Sequence, residues 1–186
     1  VTRIASKKTR KYVWYISGTQ DKADKHVENI AALLESPEFA SAHPDVADRM
    51  IGKYGSSKGW RRERLRTKSG FTIDALGLDK GLRGAKVEDQ RPDLIILDDV
   101  DEKEDSVETI KKKRERLTTS IFPAGSNDVA ILFIQNLIHP ASIASELLGD
   151  AEYLADRIIS GPFPAVDDLV YERRLDPVLK REVYFI

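Results

Sequence analysis

Leu94-Ile95-Ile96-Leu97-Asp98-Asp99 joins four consecutive apolar residues to two carboxylates. A strand that buries one face alternates apolar with polar residues, whereas a strand buried on both faces of a parallel sheet is apolar throughout. The run therefore predicts a buried strand that delivers Asp98 and Asp99 to its carboxyl end. Tyr12-Val13-Trp14-Tyr15-Ile16 and Val129-Ala130-Ile131-Leu132-Phe133-Ile134 read the same way, the latter ending on Gln135-Asn136. Helical spacing lies between the strands. Ala23, Val27, Ile30, Ala31 and Leu34 follow a cap at Thr19 or Asp21 and stop at Ser36-Pro37; Val107, Ile110, Leu117 and Ile121 follow a cap at Ser106 and close at Pro123. Strands alternating with helices specify an α/β fold with a mostly parallel sheet, and such sheets bind ligands beyond the carboxyl ends of their strands.

The remaining chain is less regular. A short helix is expected over Pro44 to Ile51, ending at Gly52. Arg64 to Thr67 and Phe71 to Ala75 flank Lys68-Ser69-Gly70 and suit a basic hairpin rather than a core element. Leu76 to Gly84 reads as a loop, Ser142 to Leu148 as a helix, and Gly161-Pro162-Phe163-Pro164 as a linker. Residues 1–150 are thus expected to form one domain, and residues 151–186 a linker or the start of a further region.

Of the 186 residues, 41% are hydrophobic and 33% charged, and no apolar run approaches the roughly 20 residues that span a bilayer. The absence of cysteine excludes disulfide frameworks, thiol nucleophiles and thiolate zinc sites, and the three histidines lack metal-ligand spacing. With no charged-then-apolar leader, a cytosolic setting is the expectation. The formal net charge of -1 conceals sorted blocks. Arg3 to Lys11 and Lys53 to Lys68 are basic, Asp98 to Glu108 is acidic, and Lys111 to Arg116 is basic again. The chain begins at Val1 with Met50 its only methionine, and ends on Val183-Tyr184-Phe185-Ile186, which reads as a fragment of a larger protein.

An apolar strand ending in two acids has the form of a Walker B motif. Mg²⁺ on a nucleotide keeps several waters and takes one or two carboxylates, so Asp98 could hold a metal-bound water while Asp99 polarises the attacking one. The bland reading is a buried strand ending in an acidic turn. Gln135 and Asn136, at the end of the following strand, could contact a γ-phosphate or cap the next turn. Arg83, within Gly81-Leu82-Arg83-Gly84, could be an arginine finger, a DNA-backbone contact or an exposed turn residue. Arg61, Arg62, Arg64, Arg66 and Lys68, beside Trp60, have the composition of a nucleic-acid contact or of an edge charged against aggregation. No Gly-x-x-x-x-Gly-Lys-Ser/Thr occurs, so an ATPase reading requires that phosphate cradle to precede Val1.

Taken together, the chain resembles the ATPase domain of the large terminase subunit of tailed bacteriophages. The likeness covers Tyr12 to about Leu148 and rests on several motifs. These are Tyr15-Ile16-Ser17-Gly18-Thr19-Gln20 with Ala23-Asp24-Lys25-His26-Val27, Gly81-Leu82-Arg83-Gly84, Arg91-Pro92-Asp93 running into the acid-ended strand, and the strand ending Gln135-Asn136. It implies an incomplete RecA-like P-loop NTPase (ASCE) fold, a three-layer sandwich that uses ATP and Mg²⁺. It further implies an oligomeric ring in the host cytoplasm that drives double-stranded DNA into a procapsid, with portal protein and small terminase subunit as partners. By position, Asp98 would be the Mg²⁺ acid, Asp99 the catalytic carboxylate, Gln135 or Asn136 the coupling residue, and Arg83 a trans-acting finger. The catalytic position commonly holds Glu; Asp99 is one methylene shorter, leaving Asp101 or Glu102 as alternatives. The coupling position, often Thr, holds amides here. Two other readings fit the same residues: a non-hydrolysing RecA-like module that binds DNA or a partner, and a helicase-like translocase.

Overall fold

Tyr12–Ser17 forms strand β1 with all six residues buried, at the centre of a five-stranded sheet. The computed structural model describes residues 1–79, 90–149, 152, 172–176 and 181–185. Helix α1 (Thr2–Lys7) precedes β1, and α2 (Gln20–Leu34), α3 (Pro37–Ala42) and α4 (Pro44–Ala47) follow it. Then come β2 (Arg64–Arg66), β3 (Thr72–Gly77), β4 (Leu94–Asp98), α5 (Val107–Arg116), β5 (Ala130–Ile134) and α6 (Ile143–Leu148). The strand order is β2-β3-β1-β4-β5, and only β2 runs antiparallel to its neighbour. Val13 to Ile16 lie opposite Leu94 to Leu97, so the two most apolar strands pair in the middle of the sheet. The protein is therefore α/β with a mixed, mostly parallel sheet.

Alternation along the strands sorts the core into two faces. Val13 and Tyr15 of β1, Ile73 and Ala75 of β3, and Leu94 and Ile96 of β4 share one cluster with Ala23, Val27, Ile30 and Leu34 of α2. Ile16, Ile95 and Leu97 are buried on the other face, and Ile110, Leu117 and Ile121 are buried as well, consistent with a three-layer sandwich. Each such side chain contributes roughly 1.5–3 kcal/mol on removal from water. Ser106 caps α5 by accepting from the Thr109 amide, and the helix runs into a π-turn over Leu117–Ile121 and a 3₁₀ turn over Phe122–Ala124.

Three expectations change. The hairpin Arg64–Thr67 and Phe71–Ala75 is real, but its second arm is β3, which lies inside the sheet with Ile73 fully buried. The helix expected over Pro44 to Ile51 ends at Ala47, because Asp48 turns extended and Arg49 and Ile51 form bridges to Thr67 and Ser57. Ser36-Pro37 both stops α2 and starts α3, with the Ser36 hydroxyl accepting from the Phe39 amide. The chain divides into two compact units, Val1–Tyr153 and Leu154–Ile186. In the second, Glu172–Asp176 (β6) pairs antiparallel with Arg181–Phe185 (β7).

A polar network is buried in the sheet. Asp74, 3% exposed, accepts from the Tyr12 hydroxyl at 2.6 Å and from Arg64 Nη2 at 2.7 Å, and Arg64 Nε binds its other oxygen. Trp14 Nε1 donates to the Tyr12 oxygen at 2.9 Å. Burial, then the hydrogen bond donated to Asp74, raises the Tyr12 pKa; burial, then the bond donated to Asp98, raises that of Tyr15. A raised pKa means that above the ordinary tyrosine value of about 10 the unfolded chain ionises first. The stability these hydroxyls contribute is therefore whole below a pH of about 10 and falls as pH rises beyond it. Urea titrations between pH values of about 9 and 12 are expected to show this loss, with Tyr12→Phe and Tyr15→Phe each flattening the slope.

Candidate functional site at the ends of β1 and β4

The connection leaving β1 passes through α2 toward β3, and the connection leaving β4 passes through α5 toward β5. Neighbouring strands whose connections depart in opposite directions define a switch point, and the crevice beyond them is where α/β sheets take ligands. Here that crevice lies between Gly18-Thr19 and Asp98-Asp99. The Gly18 amide donates to the Asp99 carbonyl at 3.3 Å, and a Cβ on Gly18 would lie 3.2 Å from that oxygen and from Glu102 Oε1. Glycine is what permits the two turns to approach. Asp99 itself has φ 47°, a left-handed conformation that costs a non-glycine residue about 1 kcal/mol or more, and its amide donates to the Ile134 carbonyl at 3.2 Å.

A cleft of about 320 Å³ opens beside this crevice on the Asp99 side, lined by Lys22, Asp99, Asp101, Glu102, Gln135 and Asn136 among others, and not by Gly18, Thr19 or Asp98. The acidic block is divided among separate tasks. Asp101 is 4% exposed, and its two carboxylate oxygens accept from the Ile143 and Ala144 amides at 3.0 and 2.9 Å, capping α6. Its own amide donates to Gln135 Oε1 at 3.0 Å. Glu102 pairs with Lys22 at 2.6 Å, which raises the Lys22 pKa, and Asp105 pairs with buried Lys113 at 2.5 Å. Of the two alternatives to Asp99, one is spent as a helix cap and the other holds a lysine. Asp99 is exposed, and its carboxylate makes no hydrogen bond or ion pair among the described residues.

Asp98 points the other way. Parity along β4 puts it with Leu94 and Ile96 on the α2 face, where its Oδ2 takes the Tyr15 hydroxyl and lies 4.0 Å from His26 Nε2. The His26 ring stacks on Tyr15 with centroids 5.4 Å apart. Tyr15 was legible only as a core aromatic, yet its register, opposite Ile96 and two residues short of Asp98, is what brings hydroxyl to carboxylate. Gln20 was unassigned too. Its side chain accepts from the Gly77 amide at 3.0 Å and donates to the Ala75 carbonyl at 2.8 Å, fixing the start of α2 to the end of β3.

The basic residues are engaged with acids. Arg62 pairs with Asp21 at 2.8 Å and Glu28 at 3.3 Å, Arg64 is held by Asp74, and Lys68 lies 3.2 Å from Asp48. Arg61, three-quarters exposed, is 3.9 Å from Glu63, and Arg66 is half-buried. Arg49 covers the Trp60 ring at 5.1 Å. Arg83 lies outside the described residues. No family model, curated protein or solved structure matches the chain significantly. Among the described residues, no helix is long and apolar enough to cross a membrane.

Among the described residues, no three His, Asp or Glu side chains form a group that could hold a metal ion. A cation in this crevice would rest on one or two carboxylates and water, the coordination Mg²⁺ accepts. Asp99, exposed and uncommitted, suits such a water-bridged contact, whereas Asp98, turned to the α2 face and bonded to Tyr15, does not line the cleft.

Proposed function

We propose that the chain is part of the ATPase core of a viral DNA-packaging motor, a RecA-like module of the terminase large-subunit type. The observation that carries this reading is the uncommitted Asp99 carboxylate at the switch point, in one cleft with Gln135 and Asn136. An acid-ended strand paired with an amide-ended strand, Asp98 opposite Ile134, supports the reading by bringing Asp99, Gln135 and Asn136 to adjacent strand ends. Asp99 orients and polarises the attacking water. Gln135 and Asn136 face the same space; Gln135 is bonded to the Asp101 amide, and the Asp101 carboxylate caps α6. Bound Mg²⁺ would neutralise charge developing on the phosphates, held through water by Asp99, the carboxylate that lines the cleft; Asp98 would join it only by turning away from the Tyr15 hydroxyl. The proposed partners are double-stranded DNA, portal protein, small terminase subunit and further copies in a ring. Arg61 and Lys68, the most exposed of the hairpin cations, are the ones placed to meet phosphate.

The reading requires a phosphate-binding loop that these 186 residues do not contain. ATP turnover is therefore expected to be undetectable for the 186-residue chain and to appear when its upstream reading frame is included. Asp99→Ala is then expected to lower kcat by about 100-fold or more. Turnover that survives both Asp99→Ala and Asp98→Ala would contradict the proposal, as would an upstream frame without a Gly-rich loop ending in Lys-Ser/Thr.

A further inference from the structure

Beyond β2 the chain builds an antiparallel arm. Arg49 bridges Thr67, and the Met50 amide donates to the Arg66 carbonyl at 2.9 Å. Ile51 then bridges Ser57, and the Lys58 amide donates to the Met50 carbonyl at 2.7 Å. Gly52-Lys53-Tyr54-Gly55 turns between these two segments, with the Gly55 amide donating to the Gly52 carbonyl at 3.0 Å and the Gly52 amide to the Ser56 carbonyl at 2.8 Å. The base of the arm is anchored. Arg49 donates to Glu35 at 3.0 Å and covers the Trp60 ring, which packs against the core, and Arg62 is held by Asp21.

The tip has a different character. Tyr54 is 91% exposed and Ile51 58%, and nothing lies within 4 Å of where a Cβ on Gly55 would stand. Residues 49–62 carry five basic side chains and no acid. Lys53 and Lys58 are exposed, and the Lys53 Nζ lies 5.9 Å from the Tyr54 ring centroid. Charges that only blunt an edge have no use for an exposed tyrosine and isoleucine beside them. A protein interface takes roughly 800 Å² from each partner around an apolar centre, more than two apolar side chains on a glycine-rich turn supply. A planar ring flanked by cations is instead what an unpaired base and its phosphates take. In a duplex each base is already stacked on its neighbours, which leaves the ring without a partner there.

We infer that the arm of residues 49–61 binds single-stranded DNA, with one base stacked on Tyr54 and the flanking phosphates on Lys53 and Lys58. The choice of DNA over RNA rests on the packaging reading; the stacking and the charge do not. The arm extends the β2 edge of the sheet, whereas the cleft lies by β4 and β5, so the two sites are separate.

Fluorescence anisotropy of a labelled oligo(dT) of about 12 nucleotides, titrated with the 186-residue chain, tests this. Tyr54→Ala is expected to weaken binding about 10-fold or more, and Tyr54→Phe to keep it within about twofold, because stacking uses the ring and not the hydroxyl. Lys53→Gln is expected to reduce the slope of log Kd against log salt by about 0.7. All three side-chain changes lie at exposed positions and are expected to leave the urea midpoint unmoved, which separates a lost contact from a lost fold. A duplex of the same length is expected to bind at least about 10-fold more weakly and to be indifferent to Tyr54→Ala. Oligo(dT) binding that is absent, unchanged by Tyr54→Ala, or weaker than that of oligo(rU) would overturn the inference, as would binding to phosphatidylserine vesicles in place of the oligonucleotide. Duplex bound as tightly as single strand, and lost with Arg61→Glu but not with Tyr54→Ala, would overturn it and leave the packaging reading standing. Oligo(dT) binding through Tyr54 in a chain that carries its upstream residues and does not hydrolyse ATP would uphold it and sink the ATPase reading.

Discussion

Gly77→Ala is expected to leave the protein largely unfolded, with a loss of at least about 4 kcal/mol in urea denaturation of the 186-residue chain. The added Cβ would lie 2.1 Å from the Gln20 amide nitrogen and 2.6 Å from the Gln20 Cα. Both are backbone atoms at the first turn of α2, so no rotamer change relieves the clash. The helix would have to withdraw from β3, breaking the bonds Gln20 makes to Gly77 and Ala75 and uncovering Ala23 and Val27. Gly70 is the control. It has φ 86° and nothing within 4 Å of where a methyl would stand, so Gly70→Ala is expected to cost only about 1 kcal/mol of conformational strain. A Gly77→Ala protein within about 1 kcal/mol of the parent would show that β3 and α2 do not meet as described.

Asp74→Ala is the second large effect, expected at about 3–5 kcal/mol. The substitution leaves the Arg64 guanidinium and the buried Tyr12 hydroxyl facing a cavity with no acceptor. The paired replacement Arg64→Met with Asp74→Leu removes both charges and is expected to recover most of that loss, since burying an ion pair costs desolvation that apolar side chains avoid. A loss below about 1 kcal/mol for Asp74→Ala, measured by the same denaturation, would contradict the buried network. The result also bears on DNA binding. Charge reversal at Arg64 would act through folding, which makes Arg61 and Lys68 the informative positions for a salt titration.

The central strands were legible because burial on two faces leaves a continuous apolar run, and Tyr12–Ile16 and Leu94–Leu97 are such runs. Helices α2 and α5 were legible from apolar spacing behind a cap, Thr19 or Asp21 for the first and Ser106 for the second, and the structure uses Thr19 and Ser106, each accepting from a backbone amide. β3 was undervalued because Asp74 in its centre suggests solvent, whereas Arg64 from the neighbouring strand makes burial possible. β5 misled in the opposite sense, its composition announcing burial that the described residues do not supply. Within the acidic block, sequence identified the carboxylates but not their division of labour. That division depends on contacts across 13 to 83 positions, such as Lys113 to Val100 and Tyr15 to Asp98, which no local pattern contains.

Whether the crevice between β1 and β4 takes a nucleotide is decided by locating Mg²⁺-ATP on the protein carrying its upstream residues, by amide chemical-shift mapping. The largest shifts are expected at Gly18, Thr19, Asp99, Gln135 and Asn136, weakened by Asp99→Ala, with β2 and β3 residues at Arg64 and Thr72 little changed. Shifts concentrated on the β2–β3 hairpin, or none at the ends of β1 and β4 at saturating nucleotide, would contradict a nucleotide site there.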